Sequence, residues 1–287
     1  ALSARNSGLI YAVGSGWGLR GPDKDTPAFD YTVWARSGYM YTMGEPGTPP
    51  VSCRPGVGDH ICALILDFGI MMALHHRQKT GKGQMVHASL LGALIDNSAL
   101  SVQGHLTTGE DIQKVSRKDQ WNPLWSYFIT KDGQALQFAM AQSDRYWAEF
   151  CKLLCLQQIQ NDPKYATHME RHKRSREVHD LIEAVIAQKT KAQWEQILNG
   201  SGLIYAFAIP YKEVCKDPQL YTNQMVVDYN HPEVGPMKVV GVPVELSDTP
   251  GKYLHHAPEL GQHTEDVLLE LGYSWEDIVA FKDAAVT

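Results

Sequence analysis

The chain is 287 residues long, 44% apolar and 20% charged, with 26 Lys plus Arg against 32 Asp plus Glu for a net charge of −6. That length holds one large or two modest domains with a sizeable core, and that composition excludes a disordered chain, a collagen and a coiled coil. A mildly acidic chain lacks the basic stripe that non-specific nucleic-acid binding needs, so no nucleic-acid partner is expected.

The chain opens on the end of a helix, Ala1 to Asn6. Leu9 to Val13 then reads as a buried strand running into Gly14. Such a strand needs sheet neighbours, and the sequence points to neighbours upstream or on another chain. Gly14 to Pro55 is rich in Gly, Pro and aromatics and reads as shaped loop around one helix, Phe29 to Gly38. Asp59 to Gln78 is apolar nearly all round and predicts a buried core helix, stopped by Thr80-Gly-Lys-Gly83. Its longest apolar run, Ile61 to Leu74 with Asp67 inside, falls short of the roughly 20 residues of a bilayer span, so no membrane contact is expected. Gln84 to Ala88 reads as a strand and Leu90 to Leu106 as another apolar helix.

Thr107 to Asp119 is polar and without period, hence a linker, centred on residues 108–118. A smaller α+β segment follows over residues 119–208. Ser126 to Thr130 and Ala135 to Ala139 flank Asp132-Gly133, a strand–turn–strand signal. Ser143 is placed to cap a helix whose apolar face carries Tyr146, Trp147, Phe150 and Leu154. Further helices start near Ser175 and at Thr190, where Gln193 completes a capping box. Residues 209–287 are loop-rich, with a strand at Met237 to Val242 and two final helices opened by Thr264 and by Ser274 with Asp277.

Several patterns invite chemistry. Gly14-Ser-Gly-Trp-Gly18 follows a strand, but Leu19 stands where a dinucleotide fingerprint needs Gly. His168 and His172 are spaced like helical metal ligands, yet Arg171, Lys173 and Arg174 crowd them, so a solvated basic helix end is expected and no metal site. Cys151 and Cys155 share an apolar helix face and read as small buried hydrophobes. The five cysteines (53, 62, 151, 155 and 215) are odd in number and show no CxxC pattern. With no leader pattern at the N-terminus, they read as reduced thiols of a cytoplasmic protein.

Asp59 stands out. It lies in Pro55-Gly-Val-Gly-Asp59-His60, just before the apolar helix. Gly56 and Gly58 leave room beside its carboxylate, and the helix N-terminus favours the ionised form. Locally it reads as a helix N-cap or as a nucleophile. Asp67, two turns on, should be desolvated and serve as a salt-bridge partner or a second acid.

These residues resemble the family III CoA-transferases, the CaiB/BaiF group. The resemblance rests on ordered pieces: Leu9 to Gly18 with Gly21-Pro22, Phe29-Asp30 through Arg36-Ser-Gly38, Gly44 to Pro50, Gly58-Asp59, Thr80 to Gln84, and Ala257-Pro-Glu-Leu-Gly-Gln-His-Thr264 with Leu271-Gly-Tyr273. It implies an α/β fold: a Rossmann-like large domain, partial here, from residues 1–107 and 209–287, plus the small α+β domain, in an interlocked homodimer. It implies an acyl-CoA and a carboxylic acid as substrates, Asp59 as catalytic nucleophile, and amides near Gly56 to His60 as oxyanion donors. Substrate or CoA contacts are implied at Trp17, Gly18, Phe29, Asp30, Gly58 and Trp125. No metal or redox cofactor is implied, coenzyme A being a substrate.

The sequence departs from the family in three ways. The N-terminal Rossmann half, roughly 100 residues on the scale of a small domain, is absent, which implies a fragment or a second polypeptide carrying that half. Where some members carry a mobile glycine-rich loop, Gln120-Trp-Asn-Pro-Leu-Trp125 has no Gly. This segment is either a stiff aromatic lid suited to a bulky acyl group, or small-domain core through Trp121 and Trp125. The racemase branch carries a His–Asp pair where Phe29-Asp30 stands here, and Phe carries no proton, which favours a transferase over an α-methylacyl-CoA racemase. A non-catalytic subunit is the third reading.

Overall fold

A computed structural model describes residues 1–287. The chain divides into two compact units, Ala1–Ala208 and Ile209–Thr287.

The first unit begins with helix α1 (Leu2–Arg5) and strand β1 (Tyr11–Ser15). β1 pairs in parallel with β2 (Met85–Ser89), in register from Tyr11↔Met85 to Ser15↔Ser89. A parallel pair needs a long crossover. Here it carries α2 (Asp30–Arg36), α3 (Tyr39–Thr42) and α4 (Val57–Thr80). The neighbour expected from outside is therefore supplied in part by this chain, as β2. The sheet stops at these two strands. At its start the backbones nearly touch: a Cβ on Gly83 would lie 2.0 Å from the Leu9 carbonyl oxygen.

The single helix expected over 90–106 forms as two, α5 (Leu90–Asn97) and α6 (Ala99–Thr108). Ser98 breaks it by leaving helical geometry (φ −99°, ψ 18°), with its hydroxyl donating back to the Leu94 carbonyl at 2.8 Å. Val33, Trp34 and Leu94 form the local core, with Trp17, Tyr39, Val57 and Ile61 packed around it.

α4 is not the buried helix that its composition predicts. Only Gly58, Cys62 and Ala73 are buried along its 24 residues. Leu64, Phe68 and Met71 are each more than 60% exposed. As folded, it is long and apolar enough to cross a membrane by length and composition, although the apolar run in the sequence is shorter. An apolar face of this size calls for a covering layer that its own unit does not supply. Asp67 lies on the helix and is exposed, not desolvated, for the same reason.

A separate core fills the rest of the unit. Strands β3 (Tyr127–Ile129) and β4 (Ala135–Phe138) pair antiparallel around the predicted Asp132-Gly133 turn, and β5 (Tyr205–Phe207) adds to β4. Five helices pack here: α7 (Ser143–Leu153), α8 (Gln157–Gln160), α9 (His168–Lys173), α10 (Ser175–Ile186) and α11 (Lys191–Leu198). Phe128, Phe138, Trp147, Phe150, Leu154, Ile182 and Trp194 are buried together. The Thr190–Gln193 capping box forms.

Ser143 does not cap α7. It is the first helical residue, and its hydroxyl accepts from the Arg171 guanidinium at 2.9 Å. Arg171 is fully buried, with hydrogen bonds to Tyr165 O (2.7 Å) and to Asp144, and with the Trp147 ring 4.5 Å away. The solvated basic helix end is thus corrected: its central residue is a buried cation whose charge is answered by Asp144. Cys151 is buried and its thiol is pushed up to about 12 by desolvation, whereas Cys155 is exposed at a left-handed φ of 56° and is no core hydrophobe.

Residues 109–118 are tied down through Lys114 and Arg117. Lys114 Nζ donates to Thr48 O (2.8 Å) and Pro49 O (2.9 Å), and the Arg117 amide donates to Glu45 Oε1 (3.0 Å). The Arg117 guanidinium donates to Glu183 Oε1 (2.7 Å), Tyr127 O (3.1 Å) and His179 Nε2 (3.1 Å). Guanidinium only donates, so His179 Nε2 is the acceptor and Nδ1 carries the proton, 3.6 Å from Glu183 Oε2. Burial, then the Arg117 charge, hold the His179 pKa below its ordinary value. The unfolded chain takes that proton near pH ~6.5 and the folded chain only at lower pH, so this histidine subtracts stability as pH falls below ~6.5. Replacing His179 with Gln keeps an acceptor for Arg117 and removes the titration. Urea midpoints measured from pH 7 down to 5 should fall less steeply in H179Q than in wild type.

The second unit holds α12 (Tyr211–Val214), α13 (Pro218–Thr222), the hairpin β6 (Val226–His231) and β7 (Gly235–Val240), then α14 (Thr264–Glu270) and α15 (Trp275–Asp283). The Ser274–Asp277 capping box forms as predicted.

Candidate active site

The start of α4 is built by two glycines and a distant carboxylate. Gly56 flanks the helix in a left-handed conformation (φ 90°), and Asp59 is the third helical residue, exposed on the first turn. Asp59 is therefore not the N-cap. Two of the amides at that end are satisfied by Asp30, the first residue of α2. Asp30 Oδ2 accepts from Gly56 N at 2.6 Å and Oδ1 from Gly58 N at 3.0 Å. Asp30 is 5% exposed. A Cβ on Gly58 would lie 2.4 Å from Asp30 Oδ1 and 3.4 Å from Trp34 Nε1, so only glycine admits this carboxylate.

Three of the amides expected as oxyanion donors are consequently taken. Gly56 N and Gly58 N go to Asp30, and His60 N donates to Gly56 O at 2.9 Å. The Val57 and Asp59 amides of the same turn are not taken by these bonds and remain as donors for an oxyanion.

Around this turn the structure gathers most of the predicted residues. Trp17 packs on the Val33–Trp34–Leu94 core that also touches Gly58. Its indole N–H donates to Pro27 O (3.4 Å), and the Arg36 guanidinium stands 4.8 Å over its ring. The Gly18 amide donates to Ser15 Oγ (3.1 Å), itself 2.8 Å from His87 Nε2, which fixes the glycine loop onto the sheet. Phe29 flanks α2 and is 80% exposed, and its amide donates to Thr32 Oγ1 at 3.1 Å. A cavity of about 500 Å³ borders the same core beyond Tyr39 and is lined among others by Tyr41, Asn97, Leu100 and His105.

Trp125 is not brought to this cluster. It sits beside the second core and is 54% exposed, and the Trp121 ring centroid lies 3.9 Å from that of His172. Both indoles are exposed, which overturns the core reading of this pair. Asn122 and Leu124 between them are buried, and Asn122 Nδ2 donates to Met140 O at 2.8 Å, so the segment is anchored.

The CoA-transferase family III profile matches residues 1–264. The chain belongs to CoA-transferase family III. This transferase is 32% identical over 97% of its length to an (R)-2-hydroxy-4-methylpentanoate CoA-transferase of Clostridioides difficile, spanning 70% of that protein. It is 29% identical over 94% of its length to a cinnamoyl-CoA:phenyllactate CoA-transferase of Clostridium sporogenes, spanning 66% of it. The fold matches a CaiB/BaiF family crystal structure from Brucella suis with a TM-score of 0.79 at 23% identity, over 94% of this chain and 70% of that one.

Sequence reasoning missed the buried role of Asp30. The only local signal is an acid at the first turn of a helix, which reads as an ordinary dipole partner. His179, Asp180 and Glu183 also cluster within 4.8 Å, a spacing that suits a cation. Arg117 and Lys118 donate to these same side chains, so protein cations already answer their charge.

Proposed function

We propose that this transferase moves CoA from an acyl-CoA to a 2-hydroxycarboxylic acid, with Asp59 as the covalent carrier. The supporting observation is an exposed carboxylate on a turn whose Gly56 and Gly58 amides are satisfied by another helix. The Asp59 carboxylate attacks the donor thioester, giving an acyl–aspartyl anhydride and CoA thiolate. The thiolate attacks the aspartyl carbonyl and expels the donor acid. The acceptor carboxylate attacks the resulting aspartyl–CoA thioester, giving a second anhydride. CoA thiolate then takes the acceptor acyl group and Asp59 is regenerated. One hard exchange becomes four easier steps.

The acceptor class rests on the names of three relatives. Two are named above, and the third is a succinyl-CoA–D-citramalate CoA-transferase of Chloroflexus aurantiacus, 29% identical over 99% of this chain. All three named acids carry a hydroxyl beside the carboxylate. The exposed Phe29 at the cluster cannot shuttle a proton, which supports transfer over racemisation at the α-carbon. The uncovered face of α4 supports a covering layer from the remaining family-length portion, on a second polypeptide or in an interlocked homodimer completing a Rossmann-like domain.

Incubation with an acyl-CoA and a panel of free acids tests the acceptor class. The expected product is a 2-hydroxyacyl-CoA, read by mass spectrometry. Transfer to glutarate or oxalate alone would contradict it.

A further inference from the structure

We propose that Asp30 is a positioning residue for Asp59: by taking the amides at the start of α4, it keeps the Asp59 carboxylate free to react. The inference rests on Asp59 being the nucleophile. Asp59 occupies the third helical position. An acid at that position ordinarily folds back to bond the amide of the residue flanking the helix. Here that residue is Gly56, and its amide is already held by Asp30 Oδ2 at 2.6 Å. The next free amide, Gly58 N, ordinarily bonds a capping side chain, which Gly56 lacks. Asp30 Oδ1 takes that one too, at 3.0 Å. One buried carboxylate from another helix thus fills both capping bonds.

The consequence is a division of labour between two carboxylates. Asp30 answers the partial positive charge of the helix N-terminus. Asp59, one turn away, is left without that bond and stays exposed. A carboxylate tied to a backbone amide is a poorer nucleophile, because attack must first break the bond. Removing Asp30 leaves Gly56 N–H open, and Asp59 is the nearest acid in sequence able to close on it. Gly58 belongs to the same device, since a Cβ there would displace Asp30 Oδ1.

The test uses the full chain with Asp30→Ala, Asp30→Asn and Gly58→Ala. Two readouts are taken. The first is labelling of Asp59 by a water-soluble carbodiimide with an amine, mapped by peptide mass spectrometry, which requires no CoA chemistry. The second is steady-state transfer. D30A should label at Asp59 several-fold more slowly than wild type. Its kcat should fall about 100-fold, as for a nucleophile misplaced by about 1 Å, with KM for acyl-CoA within about twofold. D30N, which keeps the shape and one acceptor oxygen, should fall about 10-fold. G58A should behave like D30A and stands in for it if D30A does not fold.

Wild-type labelling rates at Asp59 in both D30N and G58A would overturn the proposal, whether or not transfer is observed. A uniform rise in KM with unchanged kcat would overturn it as well, since that pattern marks a binding residue. Slowed labelling in a protein that transfers no CoA would support the Asp30–Asp59 relation and sink the function instead.

Discussion

Replacing Asp59 with alanine should abolish CoA transfer, lowering kcat by on the order of 10⁴ or more, the scale seen when a covalent nucleophile is removed. Stability should barely change. Asp59 is exposed, and no hydrogen bond or ion pair holds its side chain in the fold. Surface substitutions of that kind cost about 0.5 kcal/mol or less. The combination is diagnostic. A residue that mattered as a helix cap would cost about 1 kcal/mol of stability. Urea unfolding and steady-state assay of the same sample separate the two. The structure moves the capping role to Asp30, so D59A should unfold like wild type while D30A should not.

The second large effect lies in the other core. Trp194→Ala should cost about 3–5 kcal/mol in urea unfolding. Trp194 is fully buried, its indole N–H donates to Ile186 O at 2.9 Å, and Lys189 Nζ stands 5.2 Å from its ring centroid. Truncation leaves a large void between α10 and α11 and removes the indole bond to the Ile186 carbonyl, which keeps the Lys189 amide at 3.3 Å. Trp194→Phe fills most of the void and should cost about 0.5–1.5 kcal/mol for the lost hydrogen bond, since the Ile186 carbonyl keeps the Lys189 amide. Transfer by W194F at a permissive temperature should stay near wild type, because this core is distinct from the Val33–Trp34–Leu94 core beneath Asp59.

Most local signals in the sequence are legible, Ser143 at the start of α7 being an exception. The Thr190–Gln193 and Ser274–Asp277 capping boxes, the Asp132-Gly133 turn and the glycine stop after Thr80 each depend on neighbours within a few residues. Contacts over longer range were not legible. The bonds from Asp30 to Gly56 and Gly58 span 26 and 28 residues, and neither end announces the other. Arg171 sits among charged neighbours in the sequence, yet the fold turns its side chain inward onto Trp147, Asp144 and Ser143.

Burial of α4 failed for a different reason. Apolar residues all round a helix state how much surface needs covering, not what covers it. Leu64, Phe68 and Met71 are exposed because no element of their own unit lies over them. Trp121 and Trp125 show the same limit in reverse. Their size suggests a core, but Asn122 and Leu124 fill the inward positions of that segment and leave both indoles outside.

The proposed mechanism requires Asp59 to carry the acyl and CoA groups covalently. Its most direct test is to incubate the protein with acyl-CoA and hydroxylamine and to map the peptide spanning Pro55 to His60. The expected result is an aspartyl hydroxamate at Asp59 that forms only when acyl-CoA is present. An unmodified Asp59 in a preparation that still converts acid to acyl-CoA would contradict the claim.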